Sequence, residues 1–190
     1  YTEFLPCEAL RSFIYCYWEL KSPPRNTPFF YRVVADGCID LFFDCNAPQM
    51  SSLMGYCNTY VEFPIIGAFH YVGVRFLPSA FPLLFGQDAF EISAQEIPLR
   101  EVVPALTTFI AQQLETPLSL ATIVQRLDNY FLRHLSQRPL QMDNRFFSAL
   151  LQILQSKGSI HISELDTGIS PRQLRRLFDY YIGDSPKTFS

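Results

Sequence analysis

Through its first ninety or so residues the chain alternates apolar and polar positions or runs in short apolar blocks, the pattern of strands buried on one face or both. After a short helix over residues 6–13, a strand is expected through Tyr15, Tyr17 and Glu19, and Ser22-Pro23-Pro24 ends it. Residues 29–35 and 38–44 are β-branched and aromatic runs joined at Asp36-Gly37. That pair predicts a hairpin, because a type I′ turn needs positive φ at both central positions. Further strand-like runs cover roughly 52–57, 60–66 and 69–76. Short strands at this spacing predict a small barrel or a sandwich.

Beyond Glu91 the period lengthens to that of a helix. One helix runs from Pro104 to about Glu115, and a second starts with Thr116 as N-cap and Pro117 at the first position. Its apolar stripe is Leu120, Val124, Leu127 and Phe131, a candidate surface for pairing with a second copy or for packing within the chain. Asp143 can cap a third helix carrying Phe146, Phe147, Leu150, Ile153 and Leu154, closed by Lys157 and Gly158. A short amphipathic helix over 160–166, a turn at Thr167-Gly168-Ile169 and a final helix follow. Ser170 at the N-cap, Pro171 and Gln173 form a capping box, and Leu174, Leu177, Phe178 and Tyr181 build one apolar face. The expected fold is α+β. A β-rich domain over 1–100 precedes a helical connector over 101–142 and a partial helix-turn-helix domain over 143–190.

Composition narrows the classes. Of 190 residues, 48% are hydrophobic and 17% charged, well under the ~25% charged of an average globular protein, which excludes disorder. The longest charge-free apolar stretch, 63–74, is broken by Pro64, Gly67, His70 and Gly73 and ends at Arg75. It falls short of the ~20 residues of a membrane span, so no membrane partner is expected. Cys7, Cys16, Cys38, Cys45 and Cys57 are odd in number and form no CxxC, which points to small core residues in a reducing, cytoplasmic setting.

No reaction class emerges. His70, His134 and His161 are isolated, and no phosphate loop or nucleophile motif is present, so no catalytic residue, metal site or cofactor is expected. Asp40 and Asp44 would share one strand face, read as solvated. Twelve of the 18 Phe and seven of the 10 Tyr precede residue 101, beside the lone Trp18. A filled core and an aromatic pocket both fit that density. In the pocket reading, Trp18 and Arg75 are the ligand-binding candidates, with Arg75 as anchor for an anion.

Charge changes the picture locally. The net charge is −3, yet residues 143–190 carry 6 Lys and Arg against 5 Asp and Glu. Arg172, Arg175 and Arg176 share one face of the last long helix. A helix, a Gly turn and a helix presenting arginines near its start is a helix-turn-helix arrangement, and the guanidinium fork suits guanine edges and phosphates alike. Charge and periodicity alone leave open a solvated basic face on a packing helix.

The stretch from Gly168 to Phe178, with Gly183, Ser185, Pro186 and Phe189 after it, resembles the AraC/XylS family of bacterial transcription regulators. The family's first helix-turn-helix reads close to GxSxRxLxRxFxxxxGxSPxxY/F. Gly168, Ser170, Arg172, Leu174, Arg176 and Phe178 match it, as do the four later residues. Residues 32–41 and 73–78 look like the N-terminal domain of one AraC-type subgroup. The resemblance implies a sequence-specific DNA-binding regulator whose partners are double-stranded DNA, a small-molecule effector and a second copy of itself. It implies DNA contacts by Ser170, Arg172, Gln173, Arg175 and Arg176, with Arg176 on a base edge, and by Ser185 and Lys187 near the phosphates. The segment before Gly168 is two residues shorter than the family's, which predicts a first helix shorter by about half a turn. The family pattern also implies a second helix-turn-helix unit past Ser190, so this chain is expected to be a truncated piece. The alternative is a small-molecule-binding or protein-interaction module that does not bind DNA.

Overall fold

A computed structural model describes residues 1–24, 29–33, 37–65, 67–114, 117–137 and 139–190. The alternating and β-branched runs form strands β1 (Thr2–Phe4), β2 (Ile14–Ser22), β3 (Phe29–Val33), β4 (Ile39–Asp44), β5 (Ala47–Met54), β6 (Val61–Ile65), β7 (Phe69–Phe76) and β8 (Glu96–Pro98). Six of them make an antiparallel sheet in the order β1-β2-β7-β4-β5-β8. It is open at β1 and β8, so of the two expected shapes the closed barrel is not formed. β3 and β6 pair as a separate two-stranded sheet, a sandwich-like arrangement.

The helices are α1 (Ala80–Phe85), α2 (Ala89–Ile92), α3 (Leu99–Val102), α4 (Pro104–Gln113), α5 (Leu120–Gln137), α6 (Asn144–Gln155), α7 (Pro171–Tyr181) and α8 (Pro186–Phe189). The first five cover one face of the large sheet. There Tyr17, Leu41, Phe43, Val72, Val74 and Phe76 meet Phe81, Leu106, Leu127 and Phe131 in a single core. Phe76 meets Phe81, Phe85 and Phe131 edge-on, the geometry ring quadrupoles favour. The opposite sheet face carries Cys16, Trp18, Leu20 and Phe69, with Phe42, Tyr71 and Ile65 of β6 against them.

Four expectations change. β3 and β4 do not form a hairpin: β3 pairs with β6, and β4 lies between β7 and β5. The residues of β4 are needed on both faces of a sheet, Leu41 and Phe43 on one and Asp40 and Phe42 on the other, so it takes an interior position. Asp36, half of the expected turn, lies outside the described residues. The segment 6–13 holds a single 3₁₀ turn, Glu8–Leu10. Helix α5 starts at Leu120, where Ser119 acts as cap by accepting the Thr122 N–H at 3.2 Å; Thr116 lies outside the described residues. Finally, Val124, Leu127 and Phe131 are buried in the chain's own core with Leu120 against it. Of its two expected uses, the stripe takes packing within the chain.

The docking of α5 also has a polar clasp. Asp128 accepts from the Tyr17 hydroxyl at 2.7 Å and from the Cys7 backbone N–H at 3.1 Å, tying the helix to β2 and to the segment before it. A second core gathers Phe146, Leu150, Ile153, Leu174, Phe178 and Tyr181 from α6 and α7. Tyr56, which follows β5, is buried in this second core, and Leu83 of α1 packs on it.

Candidate functional site

The C-terminal helices are set by local chemistry that was visible in the sequence. Asp143 caps α6, accepting from the N–H groups of Arg145 and Phe146. Ser170 caps α7: its hydroxyl accepts the Gln173 N–H at 3.3 Å, while the Gln173 side-chain oxygen accepts the Ser170 N–H at 3.2 Å. Ser185 caps α8 by accepting the Thr188 N–H at 3.2 Å. The side-chain oxygens of Ser170, Gln173 and Ser185 thus serve their own helix starts. The expected helix over 160–166 is reduced to one 3₁₀ turn, Ile162–Glu164, matching the short segment before Gly168. Gly168 itself has φ +65°, a conformation open to glycine at no steric cost.

Helix α7 is strongly two-sided. Leu174, Phe178 and Tyr181 are buried, while Arg172, Arg175 and Arg176 are exposed, as are Ser170, Gln173 and Lys187; Ser185 is half-buried. At about 100° per residue the arginines centre roughly opposite the buried stripe. Among the described residues no ion pair holds any of the three. Asp179 lies one turn further along this exposed arc, an acidic residue the sequence reading passed over.

The C-terminal end of α7 is docked on the strand-rich half through α1 and α2. Gly183 makes that approach possible: a Cβ there would stand 1.9 Å from the Ser93 Oγ and 2.8 Å from the Ala89 carbonyl oxygen. Beside the arginine face, an open cleft of about 480 Å³ separates α7 from α2 and the start of α6. Gln173, Arg176 and Tyr180 border it on one side and Asp88, Phe90 and Asp143 on the others.

The second candidate region is the face of the large sheet opposite the helices. The strand register puts Cys16 and Asp40 on either side of Arg75, and Gly73 beside Trp18. Asp40 is only 6% exposed. It accepts from Arg75 Nη2 at 2.9 Å and Arg75 Nε at 3.1 Å, and from the Trp18 indole N–H at 3.1 Å. The two ligand-binding candidates are therefore brought together on one carboxylate. This overturns the solvated reading of Asp40, and it gives Arg75 a counter-charge of its own. Gly73 leaves room for the indole, since a Cβ there would lie 2.1 Å from the Trp18 ring. Tyr1 stacks on Trp18 with ring centroids 6.4 Å apart. Asp40 reads as solvated in the sequence because its role depends on which strands pair.

At the end of β2 and β7, Glu19 bonds His70 Nε2 at 2.8 Å and Lys21 Nζ at 3.0 Å. Burial works against the Glu19 charge, but the bonds from Lys21 and His70 overcome it and hold the carboxyl below its ordinary range. Burial pushes the Cys45 thiol up to about 12, so it stays protonated. Among the described residues no group of three or more His, Cys, Asp or Glu could hold a metal ion, and no helix is long and apolar enough to cross a membrane.

In comparisons with known proteins, a family model described as Domain of unknown function (DUF6597) matches residues 2–98. Those residues run from the first of β1 to the last of β8. No curated protein and no solved structure matches the chain.

Proposed function

The chain belongs to the DUF6597 family, and we propose that it is a DNA-binding transcription regulator of the AraC type, with the matched strand-rich half sensing a small molecule. Helix α7 enters the major groove, Arg172, Arg175 and Arg176 face the DNA, and Lys187 stands near a phosphate. One observation carries this reading: a capped helix buried on one side turns three exposed arginines outward, without an ion pair among the described residues. The resemblance of residues 168–189 to the family's first helix-turn-helix supports it. Two copies on two half-sites, in the cytoplasm, complete the proposal.

The test is selection of duplexes from a random pool with the protein as its gene encodes it, followed by anisotropy titrations. Arg176→Ala is expected to lose ~1–3 kcal/mol of discrimination at one base pair. Equal loss on selected and random duplexes would put Arg176 on phosphate instead. No enrichment from the pool would overturn the DNA reading.

A second reading, a small-molecule-binding module that leaves DNA alone, draws on the buried Asp40–Arg75–Trp18 cluster. A buried ion pair is weak evidence for stability by itself, which gives it a claim to another use. Quenching of Trp18 fluorescence by a metabolite, in a protein that enriches no duplex, would favour that reading.

A further inference from the structure

The face of α7 that would read DNA is not equally open on both sides. In B-DNA the major groove is ~12 Å wide and a helix with its side chains is ~10–12 Å across, so a helix lying in the groove has a phosphate backbone close along each flank. On one flank of α7 that space is the open cleft of about 480 Å³, bordered on its far side by the N-terminal end of α2. Asp88 sits there as the α2 cap, accepting the Phe90 N–H at 2.9 Å, and the Phe90 ring projects with 62% of its surface exposed. Asp143, which borders the same cleft, is engaged by Arg145. The Arg176 flank thus meets a carboxylate and an aromatic ring where a phosphate strand would have to pass.

The contact that holds this geometry is at the other end of the helix. Gly183 lies against Ala89 and Ser93 of the α2 segment with no room for a Cβ. The Ser93 hydroxyl is itself tied to the Ala89 carbonyl at 2.7 Å. Ala94 donates its N–H to the carbonyl of Tyr56, a residue of the second core. The α2 segment is therefore tied both to the end of β5 and to the end of α7.

We propose that this docked arrangement is autoinhibited: α2, through Asp88 and Phe90, blocks the Arg176 flank of α7 from DNA, and the Gly183 contact keeps it there. The inference rests on the DNA-binding reading of α7. Opening requires α7 and α2 to separate, so whatever shifts the strand-rich half at Tyr56 and Ser93 also shifts access to DNA.

Two variants test it in the full-length protein, with anisotropy on a random-sequence 30-base-pair duplex at low salt. Asp88→Asn combined with Phe90→Ala removes the charge and the bulk while keeping a good N-cap and disturbing no buried side chain. DNA affinity should rise about 3- to 10-fold, the worth of one nearby charge at a partly exposed site. Gly183→Val forces α7 off α2 and should raise affinity as well, with faster amide exchange over residues 177–183. Arg176→Ala in each background separates the two ideas. Wild-type affinity equal to that of both variants, with all three lowered by Arg176→Ala, overturns autoinhibition and keeps the DNA reading. No binding by any of them, or binding indifferent to Arg176, overturns the DNA reading and autoinhibition with it.

Discussion

Asp40 shows what a single residue decides in this fold. Its carboxylate takes both the Arg75 fork and the Trp18 indole N–H in a position almost closed to water. Removing one member of such a pair leaves the other charge without compensation, a larger loss than the net worth of the pair. We expect Asp40→Asn to destabilise the protein by about 3 kcal/mol, with a shift in Trp18 emission, both read in one urea titration followed by fluorescence. Glu19 makes a pH prediction. Its folded pKa lies below the ordinary 4.5, so its contribution is present above that value and is lost as pH falls through the lowered one. The urea midpoint should drop on acidification below about pH 4.5, and Glu19→Gln should flatten that drop. Trp18, the lone tryptophan, and Arg75 were recognisable as ligand-binding candidates. Asp40 was not, because it looked like any carboxylate on a strand.

Among the elements, those built on contacts between near neighbours in sequence were the most legible. The caps of α6 and α7 involve residues two and three positions apart, and both form as read. Ser170→Ala should cost about 1 kcal/mol, seen as a lower Tm, if the box supports α7 as its geometry says. Helices α1, α2 and α3 were not read, since elements of 6, 4 and 4 residues are too short to show a period. The hairpin expectation failed for a different reason: Asp36-Gly37 has turn chemistry, but β3 pairs with β6, and β4 has both its edges taken by β5 and β7. Helix α5 was read correctly as amphipathic, and only the fold showed what it covers. Tyr17→Phe should loosen it by about 2 kcal/mol, the worth of one hydrogen bond to a charged group, with Asp128 left to the Cys7 N–H.

On the scale of the whole molecule, the strand-rich half and the C-terminal helices share side chains at their junction. Tyr56 and Leu83 come from the first hundred residues yet belong to the core of α6 and α7. We therefore expect one cooperative thermal transition for the chain, with Tyr56→Ala splitting it into two or lowering the α6–α7 part first in residue-resolved hydrogen exchange. Two superimposable melts in wild type and Tyr56→Ala would show that the junction carries little energy.

The sequence by itself determined that the chain is α+β, where most of its strands and its longer helices lie, and that one C-terminal helix is capped at Ser170 and two-sided. Those properties depend on the order of residues within a turn of helix or along one strand, so they can be read from neighbours alone. Only the tertiary structure decided that β4 lies beside β7, that Asp40 joins Trp18 to Arg75, and that the stripe of α5 is spent inside the chain. It also decided that α2 stands across a cleft from the Arg176 flank of α7. Each of these brings together residues tens of positions apart, and which distant pair forms depends on which arrangement buries the most apolar surface while leaving every buried charge a partner.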